Sequence, residues 1–281
     1  MRVTYLGTTM LLLDDGADQV LFDCHVSRPS MGACLFGRLA TDKKVADKVI
    51  YEFGINRLRA IFISHTHYDH VMDAPYFANK CGADIFGSPS TLNVARGGNV
   101  DEKRLHSFET AREFEIGNFS IRVIPSVHSA ARWYNNDLGE TIDAPLIQPA
   151  RGKDYKEGGS FDFLVSCKGK SCLIRPSYNY LEGQLDGIKA DVLFLGITGM
   201  SEDSEERRRR FFAETVDKVS PETVIPIHWD NFFRPLYAET KTLSNLFINC
   251  DRSLLELENY CNSQGIKFLK QMPLTTISAM F

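Results

Sequence analysis

Ile61-Phe62-Ile63-Ser64-His65-Thr66-His67-Tyr68-Asp69-His70 is the stretch on which the reading of this chain turns. The run from Ala60 to Ile63 is apolar, β-branched and aromatic, and reads as a short buried strand. Directly after it stand three histidines and an aspartate within six residues. Side chains of an extended segment repeat every two residues, so His65 and His67 share a side. Asp69 and His70 come as the chain turns, and Val71, Met72 and Ala74 mark the start of a helix. Imidazole nitrogens and a carboxylate oxygen at this spacing suit a borderline divalent ion, zinc first, with manganese or iron as competitors. A single histidine at a strand end is ordinarily a satisfied polar group. Four donors at one strand exit are not accounted for that way.

The block has the form His-x-His-x-Asp-His. On it the chain resembles the metallo-β-lactamase superfamily, and within it the branch of cytoplasmic sugar-acid phosphate lactonases and related hydrolases. The likeness runs from about Met1 to the region of His228. It implies a four-layer αββα sandwich, two sheets face to face with helices outside, forming one domain over residues 1–281. Periodicity alone establishes only mixed α and β.

The same resemblance assigns roles further along the chain. Asp23, which closes the strand Gln19 to Phe22, would orient a metal-ligating histidine from behind. A capping aspartate at a strand end explains Asp23 equally well. His128 follows Ile124-Pro125-Ser126-Val127, about 60 residues beyond the block, where the superfamily places a further ligand. Ile225-Pro226-Ile227-His228-Trp229-Asp230 resembles the branch's last motif, which makes His228 a ligand and sets Trp229, Asp230 and Asn231 in the pocket wall. The chain departs from the pattern once. Superfamily members carry an aspartate that bridges two ions after the strand corresponding to Ser171 to Ile174, and here the sequence is Arg175-Pro176-Ser177-Tyr178. Ser177 stands at or next to the missing aspartate, and a neutral hydroxyl is a poor divalent ligand.

Composition narrows the functional classes. A chain of 281 residues, 43% hydrophobic and 24% charged, is ordinary for a soluble globular protein with a sizeable core. A net charge of −4 gives no electrostatic reason for a nucleic-acid partner. The basic run Arg207 to Arg210 follows Glu202, Asp203, Glu205 and Glu206, so it reads as a solvated helix face of mixed pairs. There is no basic start with an apolar core as in a signal peptide, and no apolar run approaches the roughly 18 residues that span a bilayer. Seven scattered cysteines without a CxxC pair read as reduced thiols. A cytoplasmic location without membrane association is therefore expected, and a homo-oligomer is compatible with it.

Strands are expected at residues 2–6 and 10–13, with Asp14-Asp15-Gly16 as the turn into the strand ending at Phe22. Residues 26–43 read as an irregular loop, Lys44 to Phe53 as a helix capped by Gly54, and a helix from the block runs to about Lys80. Further strands are expected at Ala83 to Phe86, on both sides of Gly117-Asn118, on both sides of Lys168-Gly169-Lys170, at Ala190 to Gly196, before His228 and at Lys267 to Leu269. Helices are expected at Glu205 to Val219 and about Leu254 to Gln264. Residues 129–160 form a loop-rich insertion, in which Arg132, Arg151 and Lys153 are either substrate-facing or solvated. Of the two histidines outside the motifs, His25 is read as a surface residue and His106 is left without a role.

His65, His67 and His128 are expected to hold one ion, and Asp69, His70 and His228 a second, weaker one because the bridging carboxylate is absent. Such ions bring the pKa of bound water towards about 7, which makes hydroxide available as nucleophile. Asp69 would serve both as ligand and as proton acceptor. The expected protein is a metal-dependent hydrolase of a small polar ester, lactone or phosphodiester, with Arg175 and Arg234 favouring an anionic substrate. The competing expectation is a non-catalytic metal- or ligand-binding protein on the same scaffold, motivated by the missing aspartate. An iron oxidoreductase is disfavoured, since the His block carries no glutamate.

Overall fold

The computed structural model describes residues 1–109, 112–131, 136–244 and 248–277. Arg132, Trp133 and Tyr134 of the insertion lie outside the described residues.

The first sheet is made by β1 (Arg2–Gly7), β2 (Met10–Asp14), β3 (Gln19–Phe22), β4 (Leu58–Phe62), β5 (Asp84–Gly87) and β6 (Leu105–Ser107) in sequence order. β1 to β3 form an antiparallel meander, whereas β3 to β6 run parallel and are joined through helices. Those connections carry α1 (Met31–Phe36), α2 (Lys43–Glu52), α3 (Tyr68–Val71), α4 (Ala74–Cys81) and α5 (Pro89–Gly97). The second sheet begins with the meander β7 (Glu113–Ile116), β8 (Phe119–Ser126), β9 (Ser160–Cys167) and β10 (Lys170–Arg175). It continues in parallel through β11 (Val192–Gly196), α6 (Glu205–Phe212), β12 (Thr223–Ile227), α7 (Cys250–Ser263) and β13 (Lys267–Phe268). β14 (Thr275–Ile277) returns to the first sheet, antiparallel to β1. Each sheet has seven strands. With helices on the outer faces, this is the αββα sandwich.

Period-two alternation builds the layers. Leu11 and Leu13 of β2 face the core between the sheets, whereas Met10 and Leu12 pack beneath Val49 of α2 and Phe77 of α4. Stacked and edge-on rings of Phe22, Phe62, Phe86 and Phe163 fill the inter-sheet layer, the Phe62 and Phe86 centroids 4.5 Å apart. Helix starts follow their caps. Asp42 accepts from the amides of Lys44 and Val45, and Ser88 from that of Thr91.

Four local expectations need correction. Residues 26–43 hold a short helix, α1, because Ser30 caps its first turn; none of its residues is buried, so periodicity carried no signal. The helix expected from the block to Lys80 is two, broken between Val71 and Ala74. α5, β6 and β14 have no counterpart among the expected elements, α5 because Ser88-Pro89-Ser90-Thr91 looks like loop composition although it is a capped helix start. The helix expected to run to Val219 is α-helical only to Phe212 and widens to π geometry over Ala213–Asp217. The basic run behaves as expected for Arg207, Arg209 and Arg210, which pair with Asp203, Glu205 and Glu206. Arg208 is instead buried against Glu256 of α7.

Candidate metal centre

Strand exits of both sheets converge at one end of the sandwich, and they carry the titratable cluster. β4 delivers Ser64 and His65, whose chain passes through His67 into the single turn of α3 with Asp69 and His70. β8 delivers His128 and β12 delivers His228. Two groups of donors result, His65 with His67 and His128, and Asp69 with His70 and His228, the ligand atoms of each lying within 4.8 Å of one another. The Asp69 carboxylate lies 3.4 Å from His228 Nε2 and 3.6 Å from His70 Nε2. The rings of His65 and His70 are 3.7 Å apart, which brings the two groups side by side.

Each imidazole is held from behind. The Asp23 carboxylate lies 2.8 Å from His70 Nδ1 and accepts from the Ser64 amide and the Thr9 hydroxyl. Asp23 does this from a left-handed backbone, φ 53°, an uncommon conformation for a residue with a side chain. His228 is likewise left-handed, φ 58°; its amide donates to the Thr8 carbonyl and its Nδ1 lies 3.2 Å from the Thr198 hydroxyl. His67 Nε2 lies 3.1 Å from Asp137 of the insertion, and His128 Nδ1 donates to the Ser129 carbonyl over 3.1 Å. Carboxylates and carbonyls on one ring nitrogen fix which nitrogen faces an ion.

Five histidines this close cannot all carry protons. Burial and then the neighbouring imidazoles hold His65 well below the ordinary histidine range and bring His128 down to about 3, so both are neutral at pH 7. Burial would raise Asp69, but His70 and His228 outweigh it and keep the carboxylate ionised. Burial likewise opposes protonation of His70, and here Asp69 and Asp23 prevail and raise it. His65 Nε2 is buried and has no hydrogen-bond partner among the described residues. An orphaned, neutral imidazole nitrogen among further nitrogen and carboxylate donors fits a divalent cation, since it is otherwise a desolvated group without compensation.

The donors floor a cavity of about 320 Å³. Its walls are largely apolar: Met31 and Leu35 of α1, Tyr68, Tyr178, Phe232, Phe233 and Leu243. Ser177 lines it, at the turn where the resemblance expects a bridging aspartate.

Other residues expected at the site fall elsewhere than in the pocket. Arg175 is fully buried beneath that turn, 3.4 Å from Asp162 and donating to the Asn179 carbonyl, so its charge is spent inside the protein and not on a substrate. Trp229 is also buried, with Lys270 over its ring at 4.3 Å. Asp230 is completely buried and accepts from Tyr5, the Thr8 amide and Arg28, at 2.6, 2.8 and 2.5 Å. None of Arg175, Arg234, Trp229, Asp230 and Asn231 lines the cavity. His25, read as a surface residue, is fully buried beside Tyr68. Asp137 is not legible from sequence, because an acid in an irregular stretch far from the block has no pattern to betray it.

A family profile described as the beta-lactamase superfamily domain matches residues 18–229. The chain belongs to the metallo-β-lactamase superfamily. Among its relatives is a UPF0173 metal-dependent hydrolase of Carboxydothermus hydrogenoformans, 21% identical over 238 residues, which are 83% of this chain and 86% of that protein. Igni18, a metallo hydrolase of Ignicoccus hospitalis, superposes with a TM-score of 0.60 at 16% identity, covering 98% and 97% of the two chains. The metallo-β-lactamase fold protein YhfI of Bacillus subtilis gives 0.62 at 12% identity, covering 99% of each. At such identities the superpositions establish the fold alone. Among the described residues, no helix is long and apolar enough to cross a membrane.

Proposed function

We propose that this metal-dependent hydrolase cleaves a small ester or lactone whose acyl part is apolar, using zinc at the two donor groups. The observation that carries the reading is the pair of three-donor groups on the floor of the apolar cavity, with His65 Nε2 buried and unpartnered. His65, His67 and His128 would hold one ion by neutral imidazoles alone; Asp69, His70 and His228 would hold the other with one carboxylate. A divalent ion there supplies Lewis acidity, acidifying water and polarising the oxygen under attack.

The chain's own residues do the rest. Asp69, kept ionised by His70 and His228, accepts a proton at its carboxylate. Asp23, Asp137 and Thr198 orient His70, His67 and His228. Phe232, Phe233 and Leu243 receive the acyl group and exclude bulk water. Without a carboxylate at Ser177 the two groups bind unequally, the second ion being the more easily lost. Phosphodiesters fit less well, since among the described residues the wall of this cavity offers no arginine or lysine.

Elemental analysis of the purified chain beside His67→Ala, followed by a screen of butanoate esters and γ-lactones, tests this. One to two zinc per chain, lost in the variant together with hydrolysis, supports the reading. A chain that takes up no zinc, manganese or iron overturns it, and a loaded chain inert on every ester and lactone leaves a binding protein instead.

A further inference from the structure

A second concavity, about 730 Å³, adjoins the first and shares His67, Tyr68, Cys34 and Leu35 with it as walls. Its character is opposite. Arg38, Arg151, Lys153 and Lys156 line it. Lys156 is paired with Glu140 at 2.5 Å, but among the described residues no carboxylate pairs with Arg38, Arg151 or Lys153. Asp137 is the only acid lining it among the described residues, and it faces His67.

These cations are distant in sequence and are brought together by a built contact. Leu39 and Ala150 exchange two backbone hydrogen bonds, of 2.6 and 3.0 Å, which clamps the insertion against the loop after α1. Gly152 continues the clamp, because a Cβ there would stand 2.7 Å from the Cys34 carbonyl oxygen. Gathering unpaired cations in one concavity raises their mutual repulsion, which an anion relieves. The guanidinium forks of Arg38 and Arg151 match phosphate or carboxylate oxygens.

We infer that this second cavity seats an anionic substituent on the leaving-group side of the substrate, while the acyl arm occupies the apolar cavity. The inference rests on the proposed ester hydrolysis and names its substrate class: an ester with an apolar acyl chain and an anionic alcohol portion. In that reaction water adds to the carbonyl carbon, the bond from that carbon to the alcohol oxygen breaks, one proton of the water passes to the alcohol, the other is released to solvent, and the acid leaves as its carboxylate. Tyr68 and His67, shared by both cavities, stand where the scissile bond would cross.

The test compares 4-methylphenyl butanoate with 4-(butanoyloxy)benzylphosphonate on the zinc-loaded full chain. It uses wild type, Arg151→Ala/Lys153→Ala, and Arg209→Ala/Arg210→Ala as a control with the same change in net charge on the solvated face of α6. Binding of the product 4-hydroxybenzylphosphonate is measured by titration calorimetry in parallel, with circular dichroism to verify folding. Wild type is expected to show a KM about tenfold lower for the phosphonate ester, and the first double variant to raise that KM about tenfold more than it raises the neutral ester's. Product binding should weaken by the same factor, and the control should alter neither. Equal KM values for the two esters, or product binding indifferent to Arg151 and Lys153, would overturn the inference while leaving hydrolysis standing. Hydrolysis of neither ester, with product binding that depends on Arg151 and Lys153, would sink the ester reading and leave the anion site in place.

Discussion

The two ends of the sandwich are built from the same strands by opposite rules. At the far end the turns β2–β3, β7–β8 and β9–β10 are tight, polar and mutually tied: Asp15 accepts from Asn118 over 2.6 Å, and Lys168 lies 3.3 Å from the same carboxylate. At the near end the strands open into buried histidines and long connections. One end spends its polar groups on closing the fold. The other holds five imidazoles close together, with His65 and His128 buried and neutral, a costly arrangement that a bound cation would relieve. Changes at the near end should therefore remove metal and activity, and changes at the far end should remove stability alone.

The largest effect belongs to the ligands. His65→Ala removes the orphaned nitrogen, and we expect bound metal to fall by one ion per chain and hydrolysis to become undetectable. The melting temperature of the metal-free variant should stay close to that of metal-free wild type, as scanning calorimetry with elemental analysis would show. A variant that keeps its full complement of metal would break the contrast between the ends.

Asp230 sharpens the contrast, because it joins the two properties. It binds Arg28 and Tyr5 in the buried interior and fixes Thr8, whose carbonyl accepts from the His228 amide. Asp230→Ala leaves Arg28 charged, buried and unpaired, which costs about 3–5 kcal/mol. Urea unfolding should register that loss, and residual folded protein should bind the second ion more weakly. Intact stability would mean that Arg28 reaches water when released.

Asp137→Ala tests the smaller effect of orientation. Removing a carboxylate behind a ligating histidine costs about 10–100-fold in metal affinity or activity. Competition with a chromophoric chelator would read the affinity, and thermal stability should be unaffected. Unchanged affinity would show that His67 is held by its place ahead of α3 alone.

How much of this was legible in the sequence follows the same division. The far-end turns announce themselves as Asp14-Asp15-Gly16, Gly117-Asn118 and Lys168-Gly169-Lys170, because tight turns demand particular residues at adjacent positions. The six donors stood out because each follows an apolar strand, a pattern local in sequence. Arg175, Trp229 and Asp230 sit beside such patterns too, yet they turn inward, since whether a charge meets a buried partner such as Asp162 or Arg28 depends on strands far away in the chain. The same holds for Asp137 and for the clamp between Leu39 and Ala150. Their meaning exists only once the insertion has docked.

The smallest predicted effect lies at the far end and carries a pH signature. Burial alone would raise the pKa of Asp15, but the donors from Asn118, the Asp18 and Ala17 amides and Lys168 outweigh it and hold the group well below the usual carboxylate range. A carboxylate whose folded pKa is depressed adds stability that is complete above its unfolded value, about 4, and is lost as pH falls towards the folded one. Asp15 sits in a surface turn, its carboxylate covered by the exposed Lys168, so solvent screening limits the effect to about 1 kcal/mol or less. Asp15→Asn should thus be slightly less stable than wild type near pH 7, with the gap closing below about pH 4, and its hydrolytic rate should equal that of wild type. Urea titrations at several pH values would measure the gap. If it stayed constant down to strongly acidic pH, the turn would depend on the shape of Asp15 and not on its charge; if activity fell as well, the two ends would be coupled through the strands that join them.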